Sequence, residues 1–103
     1  MELMKEADNI VRYLVPAILD STGEEEEANR LRNHSKLNNK TAKSICRLLS
    51  TVSVNHLSLK HLIFWTEALV RAAIRKDSTS FALYVDKVTK MINSEIIKTK
   101  LLN

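Results

Sequence analysis

Apolar residues recur at intervals of three and four through almost the whole chain, and no stretch alternates apolar with polar in the way a half-buried strand does. That periodicity restricts the fold more than any other feature. It predicts an all-α protein, a compact four- or five-helix bundle with short connections. A chain of 103 residues makes one domain and not two, so residues 1–103 are expected to form a single helical unit.

The first stripe is Leu3, Met4, Ala7, Ile10, Val11, Leu14, Val15 and Ile18. Pro16, the only proline, falls inside it; it lacks an N–H and crowds the carbonyl four residues back, so the N-terminal helix is expected to kink there or restart. Ser21-x-x-Glu24 and Thr22-x-x-Glu25 both match a capping box opening a short acidic segment. Only Ala28 and Leu31 are apolar in that segment's helical part, which predicts an exposed acidic helix or linker at about 21–39 ending in an Asn-rich flexible loop.

Ala42, Ile45, Cys46, Leu49 and Val52 mark the next helical face. After an interruption at Val54–Ser58, with Asn55 or Ser58 available as N-cap, a helix over 59–76 carries the densest apolar set in the chain: Leu59, Leu62, Ile63, Trp65, Leu69, Val70, Ala72, Ala73 and Ile74. Asp77-Ser78-Thr79-Ser80 then supplies caps for a last helix, with Phe81, Tyr84, Val85, Val88, Met91, Ile92 and Ile96 inward and Lys98 and Lys100 favouring its end near Thr99.

Charge is segregated. Residues 1–27 hold eight acidic and two basic side chains, and residues 28–103 hold fourteen basic and four acidic ones, so an acidic arm of −6 precedes a basic body of +10. Either the arm folds back on the body, or the body attracts nucleic acid or an acidic protein.

Several chemistries are excluded or disfavoured. A single glycine, Gly23, leaves no phosphate-cradling loop, and a single cysteine, Cys46, leaves no intramolecular disulfide and no multi-cysteine zinc module. His34, His56 and His61 contain no i,i+4 pair for a metal, and Cys46 sits on an apolar stripe as a small hydrophobe does. The carboxylates outside the Glu24–Glu27 run are isolated, so no acid–base pair stands out. No catalytic residue, metal or cofactor is assigned, no small-molecule substrate is expected, and the protein is read as non-enzymatic. The longest apolar run, Leu62-Ile63-Phe64-Trp65, is far below the ~20 residues of a membrane span, and the N-terminal residues do not resemble a secretion signal; a soluble intracellular protein is expected.

Two binding surfaces are expected instead. Phe64 falls in the polar strip Lys60, Glu67, Arg71, Arg75 of the most apolar helix, and its neighbour Trp65 points ~100° away, so the two are not easily buried together. Phe64, Trp65, Lys60, Glu67 and Arg71 are therefore the candidate partner interface of an adaptor-like module that pairs with itself or with a subunit of a larger assembly. The alternative is nucleic-acid binding through Lys36, Lys40, Lys43 and Arg47, spaced by four, three and four like phosphate contacts along a helix. No aromatic interleaves with them. A helix-turn-helix over 41–66 is excluded because its recognition helix would carry Leu62, Ile63, Phe64 and Trp65.

Overall fold

The computed structural model describes the backbone of residues 2–102 and the side chains of residues 2–95. The chain is all-α: α1 (Leu3–Asn9), a π-helical turn (Ile10–Leu14) and α2 (Val15–Ser21) form one continuous rod, followed by α3 (Glu25–Arg32), α4 (Ala42–Thr51), α5 (Leu57–Arg75) and α6 (Ser78–Leu102). At ~1.5 Å per residue the 25 residues of α6 span ~37 Å, close to the 39 Å long dimension of the molecule. The last helix sets the length of the fold.

The irregularity expected at Pro16 takes the form of the π turn. Val15 donates to the carbonyl of Ile10, five residues back, and α2 restarts with Pro16 in its first turn, where a missing N–H is harmless. The extra residue in that turn shifts the helical phase. Ile10, Val11, Val15, Ile18 and Leu19 stay buried, whereas Leu14, expected on the inward stripe, is turned out with Tyr13.

The capping boxes do not form. Ser21 and Thr22 donate their hydroxyls backward, to Ile18 and Leu19 carbonyls, and close α2 instead of opening α3; Glu24 is the N-cap of α3 without a side-chain hydrogen bond. Gly23 sits between them at φ 86°, a left-handed turn in which a side chain would be strained. The segment 21–39 presents Glu25 and Glu26 to solvent, but all its apolar residues are inward: Ala28, Leu31 and Leu37 belong to the core.

Long-range polar contacts fix that segment further. The buried carboxylate of Asp8 accepts the Leu37 backbone N–H at 2.8 Å, and Arg12, 3.5 Å from the same carboxylate oxygen through Nε, donates from Nη2 to the His34 carbonyl at 3.4 Å. Arg32 pairs with Asp20, and Arg30 reaches Thr51 while pairing with Glu27. The Asn-rich loop is a hydrogen-bonded turn: Asn38 Oδ1 accepts from the N–H groups of Lys40 and Thr41, and the Thr41 hydroxyl donates to the Lys36 carbonyl at 2.7 Å.

Helix α5 is the spine. It packs against α6, α4 and α1, and Leu59, Leu62, Ile63, Leu69, Val70, Ala72 and Ala73 are buried. It begins at Leu57, two residues earlier than its periodicity suggests, with His56 as N-cap; Asn55 donates instead to Glu24, and Ser58 is already helical. Ile74, counted with the apolar set, lies at the helix edge and is 37 % exposed. Lys76 at φ 59° ends α5 in a left-handed cap, and Asp77 then caps α6 by accepting the Ser80 N–H at 3.1 Å, as its sequence suggests. Phe81, Val88 and Ile92 are the buried anchors of α6; the side chains of Ile96, Lys98 and Lys100 lie outside those described.

Candidate protein-interaction surface

Three helix positions two turns apart build the surface. Leu57, Phe64 and Arg71 are spaced by seven along α5, so they share one face, and they point away from the core. Leu57 is 68 % exposed and Phe64 61 %, the largest apolar exposures on the helix. Lys60 and His61 stand between them, exposed; Glu67 and Ala68, one turn on, are half-buried. The face covered by Leu57–Arg71 is ~21 Å long.

Phe64 does not stand alone. Its ring meets the edge of Trp65 at 5.3 Å and an 83° interplanar angle, and Trp65 in turn lies 5.4 Å from Tyr84 of α6 with Lys87 Nζ 4.8 Å above the Trp65 ring. Trp65 and Tyr84 are therefore half-buried in the α5/α6 seam, where the aromatic contacts and the cation–π contact hold them. Of the two adjacent aromatics, α6 covers Trp65 and leaves Phe64 out.

The polar members of the candidate interface are arranged around that ring. Glu67 Oε1 accepts from Arg71 Nη2 at 2.7 Å and Nε at 3.2 Å, a bond that also raises the guanidinium pKa. Lys60 is on the same flank as Glu67 but two turns away, beyond reach of it within one chain.

The basic candidates separate. Lys43 and Arg47 lie one turn apart on α4, while Lys36 is in the loop and Lys40 in the turn before the helix, so the four form no continuous helical row. All four are exposed and none joins an ion pair among the described residues. Lys43 and Arg47 line a shallow groove with Cys46, Arg71 and Ile74. Burial pushes the Cys46 thiol pKa up, with nearby Arg71 opposing; it is a protonated core side chain rather than a thiolate.

No family model, curated protein or solved structure matches this chain. Among the described residues no group of three or more His, Cys, Asp or Glu side chains lies close enough together to hold a metal, and no helix is long and apolar enough to cross a membrane.

Two features of the surface escape a reading of the sequence. Leu57 belongs to it because α5 starts early; the signal was its spacing of seven from Phe64, hidden by placing Leu57 in the interruption before the helix. Tyr84 and Lys87 belong to it through α6, and nothing in the spacing along one helix tells which residue of another will cover Trp65. Tyr13 and Leu14 on the π turn, and Leu83 of α6, are also exposed apolar side chains.

Proposed function

We propose that the protein is a non-enzymatic helical interaction module that binds a protein partner, a second copy or another subunit, through the outer face of α5. The observation that carries this reading is the exposure of Phe64 and Leu57 on one face of the most deeply packed helix, backed by the Trp65–Tyr84 seam. Phe64 is 61 % exposed, so covering the rest of its ring is worth ~1–2 kcal/mol, and a rigid aromatic beside a charged rim is the usual anatomy of an interface centre. The test is photocrosslinking from a benzophenone side chain placed at position 64 in the producing cell. A discrete crosslinked species is expected; its absence at 64 and again at 57 overturns the reading.

A second reading, polyanion binding, is favoured by one observation. The acidic side chains of residues 1–27 that form ion pairs do so with Arg12, Arg30 and Arg32, leaving Lys36, Lys40, Lys43 and Arg47 uncompensated. Fluorescence anisotropy with a DNA duplex or a single-stranded RNA at ~50 mM salt, where phosphate contacts are strongest, decides it. Binding that weakens steeply with salt and is lost when the four become Glu supports it; no binding at low salt removes it.

A further inference from the structure

The charges that flank Phe64 are arranged as a self-complementary set. Lys60 lies four residues before Phe64 and Glu67 three residues after it, on the same flank of α5; His61 lies three before and Ala68 four after it on the other flank. When two copies of such a helix pack face to face and antiparallel about a two-fold axis at the level of Phe64, each flank meets the same flank of the other copy in reverse order. Lys60 then faces the partner's Glu67, Glu67 faces the partner's Lys60, and each ion pair occurs twice. On the opposite flank His61 meets the small Ala68, which leaves room for the imidazole. Leu57 faces the partner's Arg71, whose aliphatic stem can lie over it. A parallel pairing brings opposite flanks together instead: Lys60 meets the partner's His61 and Glu67 meets Ala68, with no complementary charge.

We infer that the occupant of this face is a second copy of the same chain, docked α5 against α5, antiparallel, with the two Phe64 rings at the centre. The inference rests on the interaction reading above and specifies its partner. Lys60 is exposed and free of any ion pair among the described residues, so the dimer offers it an acid that the single chain does not. The seam is only ~21 Å long, which makes a concentration-dependent dimer rather than a permanent one.

The experiment uses the full chain, Lys60→Glu, Glu67→Lys and an equal mixture of the two, with helicity checked by circular dichroism and mass by light scattering across a concentration series. The native chain should rise from 11.8 kDa toward twice that mass. Each single variant places two like-charge pairs across the axis and should dissociate at about tenfold higher concentration or more. Mixing them creates a heterodimer in which the two substituted side chains, now of opposite charge, face each other across the axis. The unsubstituted Glu67 of the first variant meets the unsubstituted Lys60 of the second, so the mixture should regain the native dissociation constant. A native chain that stays monomeric throughout the series, or a mixture no tighter than the single variants, overturns the inference. A discrete crosslink from position 64 to a different protein, with a monomeric pure chain, overturns the second copy but leaves the interaction reading standing; no crosslink and no dimer removes both.

Discussion

Two substitutions of the same chemical kind, Phe64→Glu and Leu69→Glu, should have opposite consequences for the fold. Leu69 is wholly buried on α5. Replacing it forfeits ~1.5–3 kcal/mol of apolar transfer and puts a carboxylate in the core at a further cost of several kcal/mol. That sum, ~5 kcal/mol or more, rivals the whole stability of a domain this size, ~5–15 kcal/mol. Phe64 is 61 % exposed, so its ring contributes about two-fifths of a full burial, ~1 kcal/mol. Its edge contact with Trp65 adds ~0.5–1.5 kcal/mol.

Thermal unfolding followed by circular dichroism should therefore show Phe64→Glu melting cooperatively at ~5–15 °C below the native chain, and Leu69→Glu with no cooperative transition. The comparison belongs at a protein concentration low enough that the native chain is monomeric, because association would add stability that depends on concentration and would exaggerate the loss at Phe64. If Phe64→Glu unfolds as badly as Leu69→Glu, the phase assigned to α5 is wrong and Phe64 is a core residue. If Leu69→Glu stays fully folded, the core itself is misassigned.

Asp8→Ala removes the acceptor of the Leu37 N–H and the partner of Arg12, stranding a buried donor, and should cost ~2–4 kcal/mol in urea unfolding with faster hydrogen exchange at Leu37; Asp20→Ala, which loses only an exposed pair with Arg32, should cost under ~1 kcal/mol, and equal effects would refute the buried role of Asp8. Asp77 has a pKa held below the ordinary carboxylate value because it accepts from the Ser80 backbone N–H and then from its side chain. Its contribution to stability is therefore present above the unfolded value near ~3.9 and lost as pH falls through the lower folded value. Asp77→Asn keeps a cap acceptor without the titration, so it should flatten the acid limb of stability below about pH 4; an unchanged limb would show that Asp77 does not contribute to it.

The inward stripes of α4, α5 and α6 were legible in the sequence because their spacing alone selects a face, and that spacing places Phe64 on the outside and Leu69 on the inside. What the spacing conceals is decided elsewhere in the chain. Leu14 leaves its stripe because a π turn, imposed next to Pro16, inserts a residue and rotates the phase. Ser21 and Thr22 fit a forward cap as well as a backward one, and the left-handed Gly23 between them and α3 settles it in favour of the backward bonds. Asp8 reads as one more charge of an acidic arm, yet it is buried as the acceptor of an N–H 29 positions away, which local pattern does not reveal. In the site, Phe64, Lys60, Glu67 and Arg71 follow from one helix, whereas the burial of Trp65 depends on α6.

The two surfaces that the charge balance keeps separate meet along the edge of α5. The acidic arm neutralises its own neighbourhood through Arg12, Arg30 and Arg32, so the exposed cations of α4 keep their field. Lys43 and Arg47 share a groove with Arg71 and Ile74, which puts the α4 stripe on the flank of α5 that carries Lys60 and Glu67. A two-fold axis at Phe64 returns that flank to the same side of the dimer, so the two α4 stripes would lie together on one surface, beside Arg71 residues ~21 Å apart along the seam. An anionic partner would meet both stripes at once, and neutralising twice the phosphates steepens the dependence on salt in proportion. If both proposals hold, dimerisation through Phe64 and attraction of a polyanion would be successive uses of one arrangement, with the paired Lys60 and Glu67 side chains offsetting part of the repulsion between two basic chains.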